Sequence, residues 1–552
     1  MLKLGTTATL KIKSHVKRIT GVIVLVTLFL TPLACSRSYV NEADLTQTAL
    51  AYTPFVITPV PSDTPAPSDT PVPTATNTAT MTASPTDTST LDESTDNPAN
   101  PVADTSTATP IPPIIYYTQA GDTLPALAVR FSVLPQEIIS TSSIPNHGLI
   151  EPKTLLVIPN RLGETGPSQL AMPDSEVVYS PSAVGFDTNA YVNQFDGYLK
   201  TYKQYLDDGW YTGAMVVQRV AIENSINPRL LLALLEYQSH WVTGKPTTIQ
   251  DTNYPMGYVV NNEEGLYHQL SWAVSTLSLG YYQWREGLLT DLNFGDGQTM
   301  RIAPNLNSGT VAVQYLFSLL IDNPARWAGA IYGTGSDSFT SLYTSMFGDP
   351  WQRAETVEPL YPPSLTQPTL ELPFPAGETW AFTGGPHYAW GQGSALAAVD
   401  IAPSSGTPGC VVSDDWITAM APGLVVRSAN GAVVVDLDGD GHEQTGWDIF
   451  YLHVATRDRV AVGTILETND HIGHPSCEGG EASGSHVHVA RKYNGEWIPA
   501  DGPLPFVMSG WTVHAGSAIY LGTMTKGGQT ITASSYGDHN SQITRPIETP
   551  TP

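Results

Sequence analysis

Five residues in the last third of the chain could share one chemical task. His486 and His488 stand two apart in the strand-like segment SHVHVARKY, so both imidazoles leave the same face. His453 lies in another such run, FYLHVA, while His387 and Asp400 bracket the glycine-rich stretch GGPHYAWGQGSALAAVDIAP. A zinc ion that activates water takes three ligands from histidine and carboxylate and keeps one position open. His387, Asp400 and His488 would provide that set. His453 and His486 would then flank the metal as unligated imidazoles, able to take a proton or to steady an oxyanion. The metal brings the pKa of its water to about 7, so the chemistry needs no separate glutamate base.

These side chains must be held by a sheet. Short alternating runs such as GLVVRSANGAVVVDLD, TGWDIFYLHV and RVAVGTIL are separated by Asn-Gly and Gly-Asp turns, which predicts an antiparallel β domain over residues 374–520. Cys410 and Cys477 fall within it and pair by parity if Cys35 is otherwise used, so a disulfide is expected outside the cytosol. His442, His471, His474 and His514 lack any metal-ligand spacing and read as structural. The run DLDGDGHE carries alternating carboxylates at Asp436, Asp438 and Asp440, followed by Glu443. Its remaining spacing is not that of a hand motif, so an acidic hairpin tip is preferred and Ca²⁺ at Asp436, Asp438 and Asp440 is the alternative.

Over about residues 380–500 the chain resembles the β-lytic (staphylolysin) branch of the lysostaphin-type zinc endopeptidases. His387 stands thirteen residues before Asp400, as in that branch, and Leu396 occupies the position where the commoner H-x-x-x-D form has its histidine. CEGGEASGSHVHVARKYNGEW carries the branch's Cys-Glu-Gly-Gly, His-x-His and Tyr-Asn-Gly features. The resemblance implies one catalytic Zn²⁺ on His387, Asp400 and His488, a catalytic pair in His453 and His486, a Cys410–Cys477 bridge, and peptide cross-links of bacterial peptidoglycan as substrate. The alternative within the same fold is a wall-binding scaffold or amidase activator without catalysis.

The rest of the chain reads as delivery apparatus. Residues 1–35 combine basic residues, the apolar run Val22–Leu30 and a small residue before Cys35, as in a lipoprotein-type signal with Cys35 as the lipidated residue. Residues 36–113, rich in Thr, Pro, Ser and Asp, form a disordered stalk that extends at about 3.1 Å per residue where it is polyproline II. Residues 114–162 predict a βααβ unit, with the second helix over residues 135–140. YTQAGDTL, LPALAVRF, LPQEII and LLVIP resemble a LysM domain. That likeness implies a groove for N-acetylglucosamine chains at Gly121, Asp122, Thr123, Leu124, Asn146, Leu149 and Ile150.

Residues 175–360 have apolar positions at helical spacing. INPRLLLALLEYQSHW resembles the catalytic helix of lytic transglycosylases, but Gln238 stands where the acid belongs, and Glu236 falls on a different face. An inactive, glycan-binding or spacer domain is expected. Residues 521–552, rich in Gly, Thr and Ser, are expected to be a disordered tail. The fold class is therefore multidomain: a small βααβ LysM domain, a helical centre and a C-terminal antiparallel β-sheet metallopeptidase domain. A net charge of −26 lacks the basic stripe that phosphate backbones require, so nucleic acid is excluded as a partner. The expected setting is extracytoplasmic, anchored to the membrane through lipid or secreted, and associated with the cell wall.

Overall fold

The computed structural model describes residues 111–547, apart from 336 and 405–407. The expected signal, Cys35 and nearly all of the stalk lie outside the described residues. Among those described, no helix is long and apolar enough to cross a membrane.

The first unit joins strand β1 (Ile114–Tyr117), helix α1 (Leu124–Arg130) and strands β2 (Ile139–Ser140) and β3 (Leu155–Ile158). The strands form an antiparallel sheet in the order β1-β3-β2. Thr123 caps α1 by accepting from the Ala126 N–H, and Tyr116, Leu127, Phe131, Leu156 and Ile158 fill the core. The expected second helix is instead a single 3₁₀ turn, Pro135–Glu137, followed by β2. Six residues are too few to sustain a helix alone, and Ile139 and Ser140 do better by pairing with Val157 and Leu156.

The central region is helical. Helices α2 (Gly213–Asn224), α3 (Pro228–Ser239), α4 (Leu266–Arg285) and α5 (Ser308–Leu320) share a core with Trp241, Trp284 and Trp327. Pro228 opens α3 behind the Asn227 cap, and Ser225 and His240 end α2 and α3 in the left-handed region.

The C-terminal sheet contains nine strands: β4 (Thr379–His387), β5 (Ala398–Pro403), β6 (Gly423–Ala429), β7 (Ala432–Asp436), β8 (Trp447–Leu452), β9 (Ile465–Leu466), β10 (Val487–Tyr493), β11 (Glu496–Trp497) and β16 (Gln542–Thr544). Their order is β9-β6-β7-β8-β10-β5-β4-β16, with β11 beside β10. Both faces are covered. Val433, Val435, Ile449, Tyr451, Val487 and Val489 point into the domain's own core, whereas Ala432, Val434, Phe450, Leu452 and Ala490 join the core of the helices. That explains why the central strands read as almost continuously apolar.

The expected disordered tail is a correction. Strands β12 (Val507–Met508), β13 (Trp511–Ala515), β14 (Gly522–Lys526) and β15 (Gln529–Thr532) form a meander, and β16 closes the edge of the main sheet against β4. The Arg545 guanidinium holds this end down, donating to the carbonyls of Leu372 and Phe374 and to Asn469 Oδ1. Met524 and Ile531 are the alternate apolar residues that bury the hairpin.

Candidate metal centre

Strand register sets out the site. Asp400 on β5 lies directly opposite His488 on β10 and Gly384 on β4. Glycine is required there, because a Cβ at residue 384 would stand 2.5 Å from Asp400 Oδ2. Two irregularities in the β4–β5 pairing, on either side of Gly384, then bring His387 into the same space. On the next strand, Leu452 faces His488, and His453 follows with φ +64°, turning out of the strand's alternation. Ser476 ties the remaining pieces. Its N–H and hydroxyl both donate to the His453 carbonyl, and its own carbonyl accepts from the His486 N–H. Its neighbour Cys477 is bridged to Cys410, so the expected disulfide forms beside the two imidazoles expected to be catalytic.

Each imidazole has one nitrogen committed to a backbone carbonyl. His387 Nδ1–H donates to Gly385 O at 2.8 Å, His488 Nε2–H to Ala389 O at 2.9 Å, His453 Nδ1–H to Glu478 O at 2.9 Å, and His486 Nδ1–H to Gly484 O at 2.8 Å. With those tautomers fixed, the second nitrogens are lone-pair acceptors. His387 Nε2 and His488 Nδ1 face each other at 3.0 Å, and Asp400 Oδ1 lies 3.2 Å from the first and 3.4 Å from the second. Asp400 Oδ1 is buried and accepts no hydrogen bond. Two lone pairs and a carboxylate oxygen this close repel unless a cation or a proton stands among them. Donors about 2.0–2.1 Å from a tetrahedral zinc are roughly 3.3 Å apart, so the residues present fit that ion. His387, Asp400 and His488 are also the buried group whose ligand atoms lie within 4.8 Å of one another.

The surroundings fit the same arrangement. Burial would raise the Asp400 carboxyl, but His486 and His387 hold it well below the usual carboxylate range. Burial, together with His486 and His488, pulls His453 down to about 3, leaving it neutral. Burial acts the same way on His486, yet the Asp400 carboxylate outweighs it and raises that imidazole, with His486 Nε2 3.4 Å from Asp400 Oδ1. The Tyr520 ring stacks on His387 with centroids 4.2 Å apart. No spacing in the sequence marked Tyr520, which stands at the edge of the stretch read as tail.

Other sequence-derived sites fare differently. Asp122 is buried and consumed internally: its Oδ2 accepts from the Tyr116 hydroxyl and the Gln119 N–H, and its Oδ1 from Arg130. Gly121 lies under the guanidinium of Arg285, which donates to Ala120 O and pairs with Asp174 and Glu496. Leu124 and Ile150 are core residues, Thr123 caps α1, Leu149 is half-buried and Asn146 is exposed. Gly121, Thr123 and Leu149 border a cavity of about 260 Å³ that Tyr282, Arg285, Tyr361, Pro499 and Leu504 also line. The Glu236 carboxylate accepts from the N–H groups of Val242 and Thr243, so it staples the end of α3 rather than facing a substrate. His471 and His474 pack on Trp416.

The profile of the family described as LasA, N-terminal domain matches residues 170–362, the span of the helical centre. The beta-lytic metalloendopeptidase of Achromobacter lyticus is 26% identical over 159 residues, 27% of this chain and 39% of that protein. Protease LasA of Pseudomonas aeruginosa is 25% identical over 367 residues, 62% of this chain and 78% of that protein. Both relatives are metalloendopeptidases or proteases by name, and each is similar to this chain at about a quarter of the aligned positions. Among solved structures, the M23 metalloprotease pseudoalterin from the deep sea is 23% identical, covering 30% of this chain and 96% of that one, with a TM-score of 0.26.

Proposed function

We propose that the protein is an extracytoplasmic zinc endopeptidase that hydrolyses peptide cross-links of bacterial peptidoglycan. The observation that carries this reading is the meeting of two imidazole lone pairs and an orphaned carboxylate oxygen in one buried place. His387, Asp400 and His488 would hold the ion, which supplies Lewis acidity and a water acidic enough to attack at neutral pH. The carbonyls of Gly385 and Ala389 fix the ligand tautomers, so neither ring must reorient when the ion is taken up. His453, neutral and with Nε2 free, is placed to accept a proton. His486, beside Asp400, is placed to hold one and steady negative charge on the scissile carbonyl oxygen.

The substrate class rests on the sequence resemblance of residues 380–500 and on the LysM-like unit, which would tether the enzyme to glycan, with Cys35 as a lipid anchor. Glycan entering the LysM-like groove must displace Arg285 from Ala120. The test is to incubate the zinc-loaded protein with peptidoglycan and with pentaglycine, with and without a chelator, and to identify new amino termini. Cleavage that stops with chelator and returns with zinc is the expected result. A zinc-replete protein that cuts neither substrate overturns the reading.

A further inference from the structure

The far end of the strand pair that bears His453 and His488 carries a second concentration of charge. Asp436 closes β7, and Asp448, near the start of β8, is its direct partner in register, so the two carboxylates share a face of the sheet. Both residues are completely buried. Asp436 is satisfied by the turn that follows, accepting from the N–H groups of Asp438, Gly439 and Gly441. Asp448 is not: neither of its oxygens has a hydrogen-bond partner. The oxygens of Asp436, Asp438 and Asp440 lie within 4.8 Å of one another.

The nearby cations do not relieve this. Arg427 Nε is 3.1 Å from Glu443 Oε2, and Lys492, which faces Asp448 across the β8–β10 pair, has its Nζ 3.6 Å from the same oxygen and donates to the Glu443 carbonyl. Glu443 thus takes contacts from both positive groups, and four aspartates are left around the turn. Burial and the neighbouring carboxylates push the Asp448 carboxyl well above its ordinary range despite Lys492, and burial with Asp436 pushes Asp438 up to about 6. A buried carboxylate with no donor is costly unless a cation or a proton meets it.

We infer that the turn from Asp436 to Asp448 binds one hard divalent cation of the calcium class, held by Asp436, Asp438 and Asp440, with the buried, unpartnered Asp448 carboxylate opposite Asp436 on the next strand adding negative charge behind it. An all-carboxylate set with an exposed side open to water suits calcium, which accepts six to eight oxygens in flexible geometry, better than magnesium, which demands a near-ideal octahedron. Leu452 pairs with His488 on the same two strands that pair Asp448 with Lys492. The cation therefore fastens the end of the strand pair remote from the histidines. This inference is independent of the hydrolase reading, since the two sites share no residue.

The experiment uses full-length protein stripped of divalent cations with EGTA, freed of the chelator and reloaded with zinc, then titrated with calcium chloride by calorimetry and followed by thermal unfolding. The expected result is one calcium per chain, with a dissociation constant between about 10⁻⁶ and 10⁻³ M and an unfolding midpoint raised by several degrees. Asp438→Asn, which keeps the side-chain oxygen that accepts from the Asp440 N–H, and Asp448→Asn should each weaken binding at least about tenfold. Absence of both heat and midpoint shift up to about 10 mM calcium overturns the inference, as does an equal response in wild type and both variants.

Discussion

Asp400 and Asp122 are both buried carboxylates beside positively polarised groups, and they have opposite fates. Every oxygen of Asp122 is used, by a tyrosine hydroxyl, a backbone N–H and a guanidinium, all within its own small domain. Asp400 has an oxygen that accepts nothing, ringed by three imidazole nitrogens whose opposite sides are already pinned. Structure consumes bonding capacity, whereas a site for chemistry leaves some of it unspent and aimed at a common point. By that measure the proposed metal centre is prepared for a ligand, and the loop around Asp122 is a finished piece of architecture.

Substitutions can break this contrast. Removing a metal donor should have the largest effect: His488→Ala or Asp400→Ala should abolish stoichiometric zinc and lower peptide cleavage by more than about 100-fold, read by metal analysis and by amino-terminus release, while folding persists. If Asp400→Ala kept full zinc, its unspent oxygen would mean nothing. Next, Arg130→Ala leaves Asp122 buried without its ion-pair partner, removes the guanidinium's bonds to the Trp284 carbonyl, and should cost about 3–5 kcal/mol. Urea unfolding of the variant should show that loss, with the rate per folded molecule unchanged. A catalytic defect in Arg130→Ala would erase the distinction between the two carboxylates.

Smaller effects sharpen the comparison. Gly121 has φ +83° and sits against the Arg285 guanidinium, so Gly121→Ala should be destabilising by about 1–3 kcal/mol, measurable as a lower unfolding midpoint. The smallest effect expected is a slope with pH. Burial and Asp174 push Glu358 up to about 7, so the folded chain holds a proton that the unfolded chain has released above its ordinary value near 4.5. Folding then takes up a proton in that window, and stability falls as pH rises from about 4.5 to 7. Glu358→Gln should flatten that part of the stability profile by on the order of 1 kcal/mol.

The residues that meet at the metal centre could be singled out from sequence, because His-x-His on a strand and a histidine at fixed distance from an aspartate are local patterns. Their convergence was not local: it depends on register between β4, β5 and β10 and on the room left by Gly384. Tyr520 escaped notice for the same reason, since only the returning chain stacks it on His387. The strands beyond residue 521 were mistaken for a tail because GTMTKGGQTIT is poor in apolar residues, although Met524 and Ile531 around the Gly-Gly turn are a two-residue alternation that could have been read. The second helix of the small domain failed because a six-residue pattern cannot distinguish a helix from a turn and a strand. Asp448 was invisible as a partner of Asp436, since a tryptophan beside it in an ordinary strand pattern gives no hint of charge.

The pairing of β16 with β4 carries one more consequence. The strand that ends in His387 acquires its outer neighbour only when Gln542–Thr544 arrives, so a chain threaded outward from its N-terminus presents every metal donor before its edge is sealed. During that interval an open backbone rim is available to a foreign strand. A recombinant fragment stopped at residue 520 would remain in that interval permanently, and the aggregation of such a truncated product would report on edge closure rather than on the quality of the metal centre.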